Sequence, residues 1–261
     1  DREFSTQRAD MSGHEKEASM EHLYSGRDIR ATLLCPKTES PRQTLFVTFS
    51  NFRGAPSLED DGFGQDLLKK MGIPAIHIVT AGNTWFQSPE VFDLAKTVVK
   101  TRSKFAKAVG YGSSMGGYGA MMFSNLLRLD ATLTLSPQYS IQPEKVQGDS
   151  RWAHIASELD FVFDDMNIGM SATARHNLFY DPCTADNIHA QLFEKKGAKC
   201  FALPHSGHSS AGFLQQVGML SEIVVVAAQD PRTDFTSIHR IALERSARSA
   251  LYAFNLGQAK Q

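Results

Sequence analysis

Cysteine, net charge and long hydrophobic runs are all scarce in this sequence of 261 residues. The three cysteines, Cys35, Cys183 and Cys200, are an odd number at wide spacings, so neither a disulfide framework nor a zinc ribbon is expected. The formal net charge is -1, whereas nucleic-acid binding requires a clustered excess of Lys and Arg. The longest apolar run, Ile223–Ala228, is far shorter than the roughly 20 residues of a membrane helix. We therefore expect a soluble, cytoplasmic protein without nucleic-acid or membrane partners.

The length and composition suit one large α/β domain. A chain of this size buries roughly three quarters of the surface that its unfolded form exposes, so a core needs no metal or disulfide. Residues 1–22 are polar and charged, do not begin with Met, and lack the apolar centre of a secretory signal. We expect this segment to be a disordered leader or a cloning remnant, and residues 23–261 to form a single domain.

Short apolar runs alternate with helical stretches along the chain, which predicts a mostly parallel sheet covered by helices on both faces. The predicted strands are 28–34, 44–50, 75–80, 106–111, 131–136, 177–181 and 199–203. The predicted helices are 64–70, 90–101, 115–127, 187–195, 210–226 and 234–256, the last an extra C-terminal helix. Residues 138–174 break this rhythm and are too long for an ordinary connection. We interpret them as a cap-like insertion of short helices over one end of the sheet.

The most informative stretch runs from Ala106 to Met122, where a predicted strand enters a glycine-rich turn and then a helix. It contains Gly-x-Ser-x-Gly, with Gly112 and Gly116 flanking Ser114. A sharp strand-to-helix turn strains its central residue and requires small neighbours on either side. Such a turn exposes one hydroxyl beside a helix N-terminus, where free N–H groups favour negative charge. Ser114 is therefore the candidate nucleophile.

Other readings of these glycines fail on their spacing. A dinucleotide-binding fingerprint from Gly110 needs glycine where Met115 stands, and a P-loop needs lysine where Tyr118 stands. Ser113 is flanked at two positions on either side by Tyr111 and Met115 rather than by glycines. The remaining alternative is a turn that only packs a helix against a strand.

A serine hydroxyl is a weak nucleophile until a histidine accepts its proton. The base and its orienting acid are expected after the serine in the order acid, then histidine. His208 follows the last predicted strand and precedes a helix, and Gly207 allows the loop to arch back over the sheet. His205 is the alternative base. The pair also has the His-x-x-His spacing of metal ligands, but no third ligand is suitably spaced, so no metal is expected.

The acid is expected just after the preceding strand, where two aspartates stand. Asp181 closes the predicted strand, and Asp186 lies in the loop ahead of the next helix. Asp186 is the preferred acid and Asp181 the alternative. Each also has a purely structural interpretation, because Asp186 suits a helix N-cap and Asp181 suits the turn made by Pro182.

The negative charge that develops on a substrate oxygen needs backbone N–H donors. Met115 is expected to supply one, because it follows the nucleophile. Phe52, in the loop after an early strand, is expected to supply the other, with Asn51 as the alternative. Arg53 and Trp85 are expected to border the same cleft and to contact substrate, although Trp85 could equally be edge packing.

These features together resemble the α/β-hydrolase superfamily over roughly residues 28–228. The resemblance rests on Gly112–Gly117, on Gly207-His208, and on the order of strands and helices between them. It implies an eight-stranded, mostly parallel sheet with the site at its carboxyl edge, and Ser-Asp-His acyl transfer without a cofactor. The chain departs from many members by having Ser50-Asn51 where they have His-Gly, which affects the assignment of the oxyanion donor.

The leading hypothesis is a serine hydrolase of the esterase type that cleaves a small-molecule ester or thioester through an acyl-enzyme. An acyltransferase that hands the same acyl group to an alcohol or sugar is the first alternative. A non-catalytic interaction module with a hydrolase-like fold is the second. The fold does not decide between them, because one fold hosts many functions.

Overall fold

A computed structural model describes residues 18–36 and 44–260. Eight strands form one sheet in the order β1-β2-β4-β3-β5-β6-β7-β8. All neighbouring pairs from β4 to β8 are parallel, whereas β1 and β2 are antiparallel to their neighbours. The strands are β1 (Ser19–Ser25), β2 (Ile29–Cys35), β3 (Thr44–Phe49), β4 (Ala75–Thr80), β5 (Lys107–Ser113), β6 (Ala131–Leu135), β7 (Arg175–Tyr180) and β8 (Lys199–Ala202). The predicted mostly parallel, eight-stranded α/β fold is confirmed.

The central strands are apolar along their whole length because both faces of the sheet are covered. Every residue of β3 and of β4 is buried. Two hydrophobic layers result, one on each face. The carboxyl ends of the parallel strands meet at one edge, and the loops that leave this edge carry the candidate site.

The N-terminal edge strand begins inside the expected disordered leader. The expectation that the leader extends to residue 22 is wrong for residues 19–22, because they belong to β1, which pairs antiparallel with β2. Most side chains of β1 are exposed, and its sequence has no apolar pattern that would predict a strand. The strand conformation depends on hydrogen bonds to β2. The turn between the two strands is closed by a hydrogen bond from Gly26 N–H to the Ile29 carbonyl oxygen. The rest of the expected leader, residues 1–17, lies outside the described residues.

Ten α-helices are present in the described part of the chain. They are α1 (Gln65–Met71), α2 (Val91–Arg102), α3 (Met115–Met122), α4 (Ala153–Ala156), α5 (Met166–Gly169), α6 (Asp186–Glu194), α7 (Ser210–Gln216), α8 (Leu220–Gln229), α9 (Thr236–Glu244) and α10 (Ala250–Gln258). α2, α3 and α6 cover one face of the sheet, and α1, α7, α8 and α9 cover the other.

Three predicted helices are shorter or divided in the structure. The helix expected over 210–226 is split into α7 and α8 at Gly218, whose φ of 74° ends α7. The helix expected over 234–256 is split into α9 and α10, because the Ser249 side chain starts a new helix by accepting a hydrogen bond from Tyr252 N. The helix expected over 115–127 ends at Met122 and continues as turns.

Within the ranges described, none of the helices is individually long and apolar enough to cross a membrane. α7 and α8 meet the requirements of length and composition when they are taken together, but they are bent by 99°.

The segment 138–174 contains α4 and α5 and is fastened to the domain by buried polar contacts. Asp164 accepts a hydrogen bond from the Tyr118 hydroxyl at 2.8 Å and, within the segment, one from Ser140 Oγ at 2.7 Å. The side-chain oxygen of Gln87 accepts hydrogen bonds from the backbone N–H groups of Val162 and Phe163, each at 3.0 Å. The segment is therefore anchored to α3 and to the loop after β4, at the carboxyl edge of the sheet. Its function as a cap stays a prediction.

Candidate active site

Ser114 lies at the sharp turn between β5 and α3. Its backbone has φ 54° and ψ -119°, a conformation that costs a non-glycine residue free energy and that is concentrated at functional sites. Two glycines make the turn possible. A Cβ at Gly112 would lie 2.3 Å from the Gly116 carbonyl oxygen, and a Cβ at Gly116 would lie 2.3 Å from the Phe49 carbonyl oxygen. The pattern predicted this strand-turn-helix arrangement correctly.

Gly116→Ala is expected to lower the free energy of unfolding by about 3 kcal/mol, because overpacking against backbone cannot be relieved by a change of rotamer. Urea unfolding of the purified variant measures this change. Gly257→Ala in α10 is the matched control, since a Cβ there has nothing within 4 Å and alanine favours a helix by about 0.5–1 kcal/mol. Equal stability of the two variants would contradict the close approach of β3 to α3.

Three predicted side chains form one continuous chain of hydrogen bonds. His208 Nε2 lies 2.8 Å from Ser114 Oγ, and His208 Nδ1 lies 2.9 Å from both carboxylate oxygens of Asp186. The Asp186 side chain is 1% exposed and that of His208 is 34% exposed. A buried acid thus orients a histidine that is open to solvent on one side and reaches the serine on the other.

Asp181, the alternative acid, makes a different set of contacts. Its carboxylate accepts hydrogen bonds from the backbone N–H groups of Cys183 at 2.8 Å, His205 at 3.1 Å and Gly207 at 2.6 Å. Asp181 therefore holds the loop that carries His208, whereas Asp186 contacts the His208 ring itself. The helix-cap interpretation of Asp186 is not what the structure shows, because Ala185 occupies the cap of α6.

His205, the alternative base, faces α10 instead of the serine. Its ring packs edge-on against Tyr252 at 5.7 Å between centroids, and its carbonyl oxygen accepts a hydrogen bond from Asn255 Nδ2. Positive φ values at His205 (62°) and Gly207 (68°) bend the loop. The C-terminal helix thus supports the loop that presents His208.

Arg151, in the segment 138–174, lies beside Asp186. One guanidinium nitrogen is 2.9 Å from Asp186 Oδ1 and 2.8 Å from Asp149 Oδ2. Burial raises the pKa of Asp186, but the hydrogen bond from His208 and the charge of Arg151 outweigh burial, and the net pKa lies below the usual range. The pKa of Asp149 is likewise low, because hydrogen bonds from His189 and Arg151 outweigh its burial. Both carboxylates are therefore ionised at neutral pH.

The predicted oxyanion donors lie on the loops expected of them. Met115 is the first residue of α3, directly after Ser114. Phe52 follows β3, and the Asn51 side chain donates to the Phe52 carbonyl oxygen at 3.2 Å. The backbone N–H groups of Met115 and Phe52, or of Asn51, stay predicted donors.

Trp85 and Arg53, the two residues predicted to contact substrate, make contacts with other side chains of the protein. Trp85 is fully buried, and its ring lies 6.1 Å from that of Phe52 and 5.3 Å from that of Trp152. The Arg53 guanidinium is paired with Asp60 at 2.9 Å. A role in substrate binding stays a prediction for both residues.

Two residues of the site were not found from the sequence. Gln138 is fully buried and its Nε2 lies 3.0 Å from Ser114 Oγ. Its position just after β6, the strand beside β5, is a signal that could have identified it, since carboxyl ends of adjacent parallel strands meet at one edge. Arg151 does not follow a strand, and its separation from Asp186 along the sequence does not indicate that the two side chains meet.

No protein-family model and no curated protein sequence matches this chain. Solved structures do resemble it. A chain of the Glycosylation Associate Protein (Gap123) complex from Streptococcus agalactiae aligns with a TM-score of 0.56 and 17% identity, over 81% of this chain and 47% of that one. The present chain thus spans about half the length of that protein.

Two further structures are covered almost completely by the alignment. The fluorophosphonate-binding serine hydrolase F of Staphylococcus aureus aligns with a TM-score of 0.52 and 13% identity, over 84% of this chain and 100% of that one. The capsule O-acetyltransferase of Neisseria meningitidis serogroup A aligns with a TM-score of 0.54 and 12% identity, over 79% and 94% of the two chains. At these identities the likeness establishes the α/β fold that these structures share with the chain, and the reaction is a separate question.

Proposed function

We propose that this protein is a serine hydrolase that cleaves a carboxylic ester or thioester through an acyl-enzyme. The observation that carries the proposal is the chain of hydrogen bonds from Asp186 through His208 to Ser114, at a turn whose strained backbone presents the serine. This set of groups provides a nucleophile, a base and an acid that fixes the tautomer of the base.

Acylation begins with proton transfer from the serine. The proton on His208 Nδ1 is held by Asp186, so Nε2 is free to accept the Ser114 proton as Oγ attacks the acyl carbon. The electron pair of the C=O bond moves to the oxygen, which becomes negative. The N–H of Met115, with that of Phe52 or Asn51, would stabilise this charge, and the N-terminus of α3 adds a favourable dipole.

Collapse of this intermediate expels the alcohol or thiol, which takes the proton from His208 Nε2 and leaves the acyl group on Ser114. A water molecule then attacks the acyl-enzyme while His208 removes its proton. His208 Nε2 then gives this proton to Ser114 Oγ as the bond between Oγ and the acyl carbon breaks, which releases the carboxylic acid and restores Ser114. Asp186 stays ionised and stabilises the imidazolium that forms in both halves of the reaction.

Labelling by a fluorophosphonate tests the proposal. This reagent phosphonylates activated serines, so we expect stoichiometric modification of the wild-type protein at Ser114, located by peptide mass spectrometry. Ser114→Ala is expected to prevent labelling, and Ser113→Ala, one residue earlier, is the matched control that should still be labelled. A folded wild-type protein that remains unlabelled would contradict the hydrolase proposal and favour the non-catalytic module.

Acyl transfer to an alcohol is the second candidate, because a capsule O-acetyltransferase shares the fold over most of its length. The two reactions differ in which acceptor reaches the acyl-enzyme. Turnover of p-nitrophenyl acetate in the presence of increasing alcohol or sugar separates them, because transfer gives acetylated acceptor in place of acetate. Acetate as the product at every acceptor concentration would contradict transfer to those acceptors.

A further inference from the structure

Gln138 is a buried carboxamide beside the proposed nucleophile. It is 0% exposed, its Nε2 lies 3.0 Å from Ser114 Oγ, and its Oε1 lies 3.5 Å from the same atom. Among the described residues, Ser114 is its one side-chain hydrogen-bonding partner. Nε2 has two N–H groups, and Ser114 Oγ accepts one of them. Buried polar groups are normally hydrogen-bonded, but no acceptor for the second N–H stands in the described part of the chain, so this carboxamide has a donor left for a further acceptor.

The positions of the hydrogen atoms around Ser114 Oγ determine whether the Gln138 carboxamide donates a hydrogen bond to this oxygen or accepts one from it. Because the His208 Nδ1 proton points to Asp186, Nε2 is an acceptor and the serine O–H donates to it at 2.8 Å. The hydroxyl has no second proton, and 3.5 Å is too long for an O–H···O hydrogen bond. Gln138 Nε2 therefore donates to a lone pair of Ser114 Oγ.

The backbone fixes Gln138 in this place. Ser136 has a φ of 46°, which turns the chain sharply after β6, and its N–H donates to the Phe179 carbonyl oxygen at 2.8 Å. Pro137 then packs so closely on α3 that a Cβ at Gly117 would lie 2.8 Å from the Pro137 Cβ. Strain of this kind persists only where the surrounding structure enforces it, so Gln138 is a preorganised donor.

We propose that the Gln138 carboxamide is a catalytic hydrogen-bond donor to the substrate oxygen that becomes negative, in addition to the backbone N–H groups. This inference rests on the proposed function. Once Oγ bonds to the acyl carbon it is a weaker acceptor, whereas the negative oxygen, separated from Oγ by that single carbon atom, is a stronger one. The Gln138 Nε2–H group therefore shifts from Ser114 Oγ to the negative substrate oxygen. Its hydrogen bond is stronger in the transition state than in the ground state, which is the requirement for catalysis.

Gln138→Met tests this role, because methionine keeps the length of the side chain and removes its donor. We expect kcat for p-nitrophenyl acetate to fall by about 10²–10³-fold, the usual effect of losing one such donor, while KM changes little. A trifluoromethyl ketone forms a tetrahedral adduct with a negative oxygen, so its inhibition constant should rise in parallel with the loss of kcat/KM. Gln138→Glu, which has no N–H donor at neutral pH, should be at least as impaired.

Gln142→Met is the matched control, because it removes a half-buried carboxamide of the same segment that contacts Asp164. Its kcat should stay near that of the wild type. Unchanged kcat in Gln138→Met, or a loss explained by a fall in melting temperature alone, would overturn the proposed donor while labelling of Ser114 still supported the hydrolase. A wild-type protein that is neither active nor labelled would overturn both.

Discussion

His208→Ala is expected to lower kcat for ester turnover by about a millionfold, because Ser114 then has no base to accept its proton. The substrate still binds through groups that the substitution leaves in place, so KM should change far less. His208 is partly exposed, and its ring makes hydrogen bonds to Ser114 and Asp186, so the fold is expected to tolerate its loss. Single-turnover kinetics on p-nitrophenyl acetate, with the melting temperature measured in parallel, provide the test.

His205→Asn is the matched control for this prediction. It replaces the other histidine of the same loop, and asparagine tolerates the positive φ of 62° at this position. The His205 ring packs against Tyr252, so its loss should affect stability more than kcat. A variant lacking both Ser114 and His208 should be no worse than either single variant, since the groups act as a unit. A larger loss of kcat in His205→Asn than in His208→Ala would reverse the assignment.

The positions of Ser114 and His208 in the fold could be predicted from the sequence because their determinants are local. Gly112 and Gly116 are required by contacts within four residues of Ser114 or with the adjoining strand, and Gly207 adjoins His208. The elements between them have strong apolar patterns, because the central strands are buried on both faces. Local pattern and tertiary structure agree in this part of the chain.

The features that the sequence did not reveal depend on distant partners. β1 has mostly exposed side chains and is defined by its pairing with β2. Gln138 reaches Ser114 only because β5 and β6 are neighbours and Ser136 turns the chain. Arg151 approaches Asp186 from a segment that has no strand to place it. No periodicity in a single sequence encodes contacts of this kind.

The sequence left both Asp181 and Asp186 as candidate acids for the same reason. Both follow β7 within six residues, and both are almost completely buried. The direction of each side chain separates them: Asp181 faces three backbone N–H groups of the neighbouring loops, and Asp186 faces the His208 ring. Side-chain direction after a strand depends on the path of the loop, which Pro182 and the start of α6 determine together.

Asp186→Asn is expected to lower kcat by about 10⁴-fold with the fold intact. An asparagine that donates its N–H to Nδ1 would leave the His208 proton on Nε2, so the ring could no longer accept the serine proton. The pKa of Asp186 lies below its usual range because His208 and Arg151 outweigh its burial. The wild-type carboxylate is thus ionised throughout the neutral range, so the titration of Asp186 itself should not contribute to the pH dependence of kcat there.

Asp181→Asn is expected to lower the free energy of unfolding, whereas Asp186→Asn is expected to lower kcat. It leaves one amide oxygen to serve the three N–H groups that the carboxylate accepts, which should cost about 1–3 kcal/mol of unfolding free energy. The His208 tautomer is unaffected, so kcat of the folded fraction should fall much less than in Asp186→Asn. Urea unfolding and kcat, measured on both variants, give opposite rankings if Asp186 is the acid, because Asp181→Asn loses more stability and Asp186→Asn loses more activity. A 10⁴-fold loss of kcat in folded Asp181→Asn, with Asp186→Asn near the wild type, would assign the role to Asp181 instead.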